Sequence, residues 1–447
     1  MREYAVQVVK KLRDEGYDAY LVGGCVRDIL LGREPADYDV ATSATPDETL
    51  ALFPKALAVG AQFGVVLVPF GPHKVEVATF RSDGIYSDGR HPDRVQFSKT
   101  AHEDVQRRDF TINGLLLDPL DGDKVLDYVG GREDMARGVI RTIGDPRQRF
   151  HEDKLRMLRA IRFAARFQYT IAAETTQAIQ ALAPEIHQVS RERIREELTK
   201  MLTEGQARRA FELLDESGLL KEVLPEIAAM KGVEQPPQYH PEGDVWVHTL
   251  MLLEGLAAGV SPTLAWAALL HDVGKPPTFR RAPDRIRFDG HADVGAQMAR
   301  EIGNRFRMSN DEIDQITAVV AQHMKFPELP KMRESTLKRF LRQPNFEEHL
   351  EMHRLDCLAS HGDLSLHDLA TEKLRSLPEE QIRPKPLITG HDLIKAGYQP
   401  GPLFSEVLTQ VEDAQLEGRV ADKESALKLA VALMTSRAER SEAEGAL

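Results

Sequence analysis

Leu21-Val22-Gly23-Gly24-Cys25-Val26-Arg27-Asp28, followed closely by Asp37-Tyr38-Asp39, brings a phosphate-approach turn, a cation and a pair of hard metal ligands into one short stretch. Gly23 and Gly24 carry no Cβ, so the backbone there can come close to a triphosphate and offer its N–H groups. Arg27 is placed to neutralise phosphate charge. Asp37 and Asp39, at i and i+2 on an expected strand, face the same side and can share two divalent ions. Ions about 4 Å apart serve an in-line attack on an α-phosphate, one at the attacking hydroxyl and one at the leaving pyrophosphate. Alone, a Gly-Gly turn or an Asp-x-Asp is more often a plain turn or a solvated loop end. Their order points to nucleotidyl transfer.

Positioning these groups requires a small sheet with flanking helices. A helix is expected through Gly16, then strands at Ala19–Val22, Tyr38–Ala41, Gly64–Pro69 and Lys74–Phe80, from Val-rich alternation and glycine punctuation. Glu76, in Val75-Glu76-Val77-Ala78, is the candidate third carboxylate beside the Asp pair. The polar, turn-rich stretch Arg81 to Pro92 reads as a mobile loop. From about Arg141 the pattern is helical with no further strong strand signal. Pro236-Pro237 and the stretch Pro378 to Pro386 look like joints. A chain of 447 residues exceeds one core. The expected division is 1-140 as head, 141-232 as helical neck, 233-375 as a metal-binding domain and 376-447 as a helical tail, an α+β protein.

The second chemical cluster is Arg107-Arg108-Asp109-Phe110-Thr111-Ile112-Asn113-Gly114, whose cations, acceptor and amide suit a sugar and phosphate. Asp127-Tyr128-Val129-Gly130-Gly131-Arg132-Glu133-Asp134 comes next, and then Arg149-Phe150-His151-Glu152-Asp153-Lys154-Leu155-Arg156 running on to Arg159, Arg162 and Phe163. On a helix Asp153, Arg156 and Arg159 form one stripe while Leu155, Leu158 and Ile161 follow another. An Asp acceptor beside an Arg fork can read both kinds of hydrogen-bonding group on a base edge. Ser190-Arg191-Glu192-Arg193-Ile194-Arg195-Glu196-Glu197-Leu198 has Ser190 where a helix N-cap belongs.

From about residue 20 to 200 these motifs, in this order, resemble the catalytic core of the polymerase β superfamily and, more narrowly, the class II tRNA nucleotidyltransferases and bacterial poly(A) polymerases. The resemblance implies a head with a five-stranded palm-like sheet, a helical neck, and untemplated growth of a tRNA 3′ end from ATP and CTP with two Mg²⁺ ions. It gives Arg108 the triphosphate, Asp109 the ribose, Asp153 and Arg156 the selection of base, and Arg159 a place near the triphosphate. Asn113 and Arg162 join the same expected nucleotide site. Gly114 stands where the family has alanine, which removes no functional group. The family's poly(A) polymerases carry a basic Gly-Arg-Arg-Phe stretch before the third carboxylate, where this chain reads Pro69-Phe70-Gly71-Pro72-His73-Lys74, so that reading is discounted. CC-adding members tend to lack the loop that this chain keeps from about Phe80 to Val95. A CC-only enzyme is therefore not expected, while full CCA addition and addition of the terminal A alone, beside a separate CC-adding enzyme, both stay open.

A second cluster comes later: His248, then His271-Asp272 at the end of an apolar run, then His291, His323 and Asp356. The order resembles the HD superfamily of metal-dependent phosphohydrolases. Imidazole and carboxylate suit Mn, Fe, Ni or Zn. Hydrolysis and a purely supporting role for the tRNA body both remain open.

Composition sets bounds. A formal net charge of −12 opposes an RNA partner at first sight. The arginines at 132, 137, 141, 147, 149, 156, 159 and 162, then 191, 193 and 195, nonetheless form a basic amino-terminal half, and much acidity falls later, as at Asp311 to Asp314 and Glu347 to Glu351. Roughly half of those arginines would suit ordinary solvated helix faces. Cys25 and Cys357 give no disulfide framework, and no run reaches membrane-spanning length. A cytoplasmic protein binding the tRNA 3′ end and acceptor region is expected.

Overall fold

The computed structural model describes residues 1–59, 64–83, 95–237, 240 and 243–444. Its contacts divide the chain into two units, one of Met1–Val233, Asp244–Trp266 and Ile302–Met308, the other of Glu234–Gly243, Ala267–Glu301 and Ser309–Leu447.

The first unit begins with α1 (Arg2–Asp14) and β1 (Ala19–Val22), then α2 (Gly24–Leu30), β2 (Asp39–Thr42), α3 (Pro46–Leu52), β3 (Val65–Phe70) and β4 (His73–Thr79). A short hairpin, β5 (Arg81–Asp83) and β6 (Val95–Phe97), precedes α4 (Ala101–Gln106), and β7 (Leu115–Asp118) and β8 (Lys124–Asp127) complete the strands of the head. The sheet has six strands in the order β3-β4-β2-β1-β7-β8, one more than expected. Of these, β7 and β8 were not located from the sequence: Leu115-Leu116-Leu117 of β7 is a short apolar run without alternation, and Lys124–Asp127 of β8 is half exposed on the sheet edge. β2 and β4 run parallel and the other neighbours antiparallel.

Alternation along the strands serves both faces. Leu21, Val40, Val75, Val77 and Leu117 pack with Val8, Val9 and Leu12 of α1. Val22, Ala41 and Leu116 turn the other way, onto Phe80, Val105 and Ile143.

Past the head, α5 (Gly131–Arg137), α6 (Pro146–Glu152), α7 (Leu155–Phe167), α8 (Ala173–Leu182) and α9 (Arg191–Thr203) follow. The helical reading from Arg141 holds but for two small ladders, Val139–Ile140 with Thr170–Ile171 and Arg280–Arg281 with Ile286–Arg287, each too short to show a period. α6 and α7 are separate: Asp153 breaks them with φ −147 and ψ 106, so the Asp153–Arg156–Arg159 stripe does not lie on one helix. Ser190 occupies the N-cap position of α9, without a side-chain cap hydrogen bond. The expected loop after Phe80 lies, at residues 84–94, outside the described residues.

The second unit is helical. Phe326, Phe340, Phe346 and Ile382 form one core. Gly390–Lys395, Pro402–Leu416 and Lys423–Glu444 surround another, built on Leu393, Val407, Val411 and Ala430. Among the described residues no helix is long and apolar enough to cross a membrane.

Candidate functional site

Strand register brings the first carboxylates together. Asp39 opens β2 and pairs with Val22 on one side and Glu76 on the other. Asp37 lies two residues before the strand, so Asp-x-Asp straddles its start. Alternation nevertheless continues, with Tyr38 buried between exposed Asp37 and half-buried Asp39. Burial first, then Glu76 and Asp37, pushes the Asp39 carboxyl up to about 7. Burial and Asp37 raise Glu76 likewise. Such crowding of acid groups fits a cation. These three do not form a closed cluster with all oxygens within 4.8 Å of one another.

Val22 leads into the Gly-Gly turn. Gly23 has φ +72, and a Cβ there would lie 3.3 Å from Nη1 of Arg108, so the close approach of the two motifs requires glycine. Arg108 is held by Asp104, which accepts from it at 3.2 and 2.9 Å and from Arg107 at 2.9 and 2.6 Å. Burial opposes ionisation of Asp104, but the two guanidinium groups outweigh it and hold the carboxyl below its usual range. The reading of the sequence omitted Asp104; its i, i+4 spacing to Arg108 was the available signal.

Arg27 is 5% exposed. It donates to Asn113 at 2.7 Å and to Asp28 at 2.8 Å, and lies over the rings of Phe163 and Phe167. Asn113 in turn donates to Asp109 at 3.0 Å. Asp109 also accepts from the Phe110 N–H at 2.8 Å and from Arg159 at 2.9 and 2.6 Å. Burial works against its charge, yet Arg159 and Asn113 hold it at about 2. Arg27, Asn113, Asp109 and Arg159 thus form one chain linking α2, the second motif and α7.

Arg156 donates to Glu152 at 2.7 Å and to the carbonyls of Arg149 and Arg107, both at 3.1 Å. Asp153 pairs instead with Arg193 of α9. Arg162 is buried against Glu197 at 2.7 Å. Of the expected nucleotide residues, the structure sets Arg108 against Gly23, joins Arg27 through Asn113 to Asp109 and Arg159, and pairs Asp153 with Arg193, Arg156 with Glu152 and Arg162 with Glu197.

In the second unit, Asp272, His291 and His323 offer ligand atoms within 4.8 Å of one another. Nε2 of His291 and of His323 lie 3.6 and 3.8 Å from Oδ1 of Asp272, and 3.3 Å from each other. Each ring has its Nδ1 at a backbone carbonyl, His291 at Phe288 and His323 at Val320, as does His271 at Ala268. Those contacts fix the tautomer and turn the Nε2 lone pairs inward. Two inward lone pairs this close repel unless a cation lies between them, so the donor set fits a metal ion. Burial pushes His323 down to about 4 despite Asp272. His271 stands 3.2 Å from Asp272, and Lys275 binds Asp272 at 2.7 Å. The cluster lies at a cleft of about 470 Å³ that Asp356 also lines, outside that close group. His248 is fully buried on the helix Val245–Glu254.

Residues 19–141 match the Poly A polymerase head domain, 168–231 the "Probable RNA and SrmB- binding site of polymerase A", and 245–358 the HD domain. These nucleotidyltransferase and HD families are metal-dependent. The chain is 33% identical over 426 residues to a CCA-adding enzyme of Leuconostoc mesenteroides, covering 95% of this chain and 94% of that one. With the CCA-adding enzyme of Geobacillus stearothermophilus it shares 45% identity over 215 residues, 48% of this chain and 53% of that protein, so it spans about half the length of such relatives. The crystal structure of the Bacillus stearothermophilus CCA-adding enzyme in complex with CTP superposes with a TM-score of 0.74 at 28% identity, covering 98% of both chains. The fold and the site define a nucleotidyltransferase head joined to a helical, HD-containing remainder. The chain belongs to the family of CCA-adding enzymes, the class II tRNA nucleotidyltransferases.

Proposed function

We propose that this protein adds nucleotides to the 3′ end of tRNA, building the CCA end from CTP and ATP with release of pyrophosphate. The observation that carries the reading is the register Val22–Asp39–Glu76, which puts the Gly-Gly turn beside the crowded carboxylates. Asp37, Asp39 and Glu76 would hold divalent ions, with Mg²⁺ suited to hard oxygen ligands, and such ions supply charge neutralisation and acidity at the attacking hydroxyl. The triphosphate lies against Gly23, Gly24 and Arg108. Asp109 meets the ribose, for which Arg159 must yield one of its contacts. Asp153 accepts from the base and Arg156 donates to it. Relatives solved with CTP, with ATP and with tRNA support these partners.

In this reading residues 1-140 are the head, 141-232 the neck, 233-375 the HD domain and 376-447 the tail. Asp272, His291 and His323, with His271 and Asp356 beside them, would hold a transition metal such as Mn, Fe, Ni or Zn. The protein works in the cytoplasm, where tRNA is matured.

The test supplies tRNA lacking its last three nucleotides, and tRNA lacking only the final A, with CTP, ATP and Mg²⁺, and sequences the products. Extension of both to CCA is expected. Extension of only the second would mean terminal-A addition that depends on a CC-adding enzyme. Long poly(A) on either would put the protein with the poly(A) polymerases.

A further inference from the structure

Phe163 and Phe167 stand one turn apart on α7 with their rings stacked, centroids 6.0 Å from each other. Arginines crowd those two rings. Arg27 lies 5.3 and 4.7 Å from the two centroids, Arg159 and Arg162 lie 5.2 and 4.4 Å from that of Phe163, and Arg33 and Arg166 lie 5.3 and 5.4 Å from that of Phe167. An aromatic face attracts a cation, and the planar, weakly hydrated guanidinium suits it well. So many like charges still repel one another and call for anions. Around Phe163 carboxylates answer: Asp109 meets Arg159 at 2.6 Å and Glu197 meets Arg162 at 2.7 Å. Arg27 has Asp28 at 2.8 Å. Around Phe167 the balance is incomplete. Glu204 reaches Arg166 at 3.4 Å and is shared with Arg162 at 3.3 Å. Arg33 is exposed, and among the described residues its side chain has neither an ion pair nor a hydrogen bond.

Arg33 belongs to the loop from α2 to β2, four residues before Asp37. Four residues of chain span at most about 14 Å, so the unanswered charge lies close to the carboxylates. The triphosphate already has Gly23, Gly24 and Arg108. The other reactant is the RNA strand, whose 3′ hydroxyl must come to the same carboxylates and whose last phosphates arrive with it. We propose, on the nucleotidyltransferase reading, that Arg33 binds a phosphate among the last few nucleotides of the tRNA 3′ strand and so holds the attacking hydroxyl at the carboxylates. The Phe167 ring supports the flat of the guanidinium, which leaves its edge N–H groups for two oxygens of one phosphate. Arg166, on the same ring, adds to the positive potential that draws the strand in.

The experiment measures tRNA affinity against salt, and the KM values for tRNA, CTP and ATP, in the full-length wild type, Arg33→Met and Arg33→Lys. Arg33→Met is expected to weaken tRNA binding roughly tenfold at low salt and to leave both nucleotide KM values unchanged. The slope of log affinity against log salt should become shallower by about 0.7, the share of one single-strand phosphate, which a merely structural role would not produce. Arg33→Lys should keep the wild-type slope while binding more weakly, since the charge stays and the fork is lost. In a second arm, the last phosphates of the tRNA are replaced one at a time by uncharged methylphosphonate. At one position the wild type should lose affinity and Arg33→Met should not. A wild-type salt slope in Arg33→Met overturns the proposal. So does a rise in nucleotide KM with tRNA binding intact, which would put Arg33 on the triphosphate instead. A wild type indifferent to every one of those replacements overturns it without recourse to any variant. A wild type that neither binds nor extends tRNA defeats the underlying reading, and this inference with it.

Discussion

Asp39→Asn should make the metal-free head more stable while ending catalysis. The Asp39 carboxyl rises from 3.8 to about 7, through burial first and then Glu76 and Asp37. The folded chain therefore keeps this proton to a higher pH than the unfolded chain does. The contribution to stability is fully present below the unfolded value and is lost as pH rises through about 7. A shift of about three units corresponds to at most about 4 kcal/mol. Exposed Glu76 and Asp37 and half-buried Asp39 are screened by water, which brings the figure to about 1–2 kcal/mol. An amide at residue 39 carries no charge to repel. In chelator at pH 8, exchange of the Val40 and Ala41 amides should be slower in the variant by roughly 5- to 30-fold, and near pH 4 the two proteins should match. Mg²⁺ should then slow exchange in the wild type and not in the variant. Equal exchange at pH 8 in chelator would show that the carboxylates do not crowd one another, and the argument for a cation there would fail.

Gly274→Ala would set a Cβ 2.1 Å from the His291 carbonyl oxygen and 2.6 Å from the Gly295 nitrogen, both backbone. A loss of about 1–3 kcal/mol and of bound metal is expected by calorimetry and elemental analysis; full metal content at wild-type stability would contradict it. Gly23→Ala combines a positive φ with crowding of Arg108. Its KM for nucleotide should rise about tenfold for the roughly 1–2 kcal/mol of strain, and unchanged kinetics would remove the turn from the triphosphate site. Arg162→Met strands Glu197 in the interior and should cost about 3–5 kcal/mol in denaturant melts, most of it recovered in Arg162→Met with Glu197→Met. A double variant as unstable as the single one would show that the pair does more than balance charge.

The sheet was legible where alternation is strong. β1 lies where Val-rich patterning put it, and β2, β3 and β4 are displaced by a single residue. β7, a short apolar run, and the half-exposed edge strand β8 were not legible, since neither has a clean alternation to read. Site residues close in sequence were found from their spacing. Partners that meet only through tertiary packing were not: Arg162 with Glu197, and Asp153 with Arg193, join α7 or its lead-in to α9 across some forty residues, and no local period records such a pairing. The break at Asp153 was missed for a related reason. The apolar series Leu155, Leu158 and Ile161 is helical, and nothing in it marks where that helix begins.

The hairpin between β3 and β4 turns at Gly71-Pro72, with Phe70 opposite His73 and Gly71 at φ +61. That turn sets how far β4 has advanced when it passes β2, and so whether residue 76 or its neighbour stands beside Asp39. Adding or removing one residue in it would either bulge the hairpin or send the glutamate side chain to the opposite face. Gly71-Pro72 is a tolerant surface turn by its looks, yet its length should be under the same purifying selection as the carboxylates themselves. Insertions among descendants of this gene should gather in other loops and spare this one.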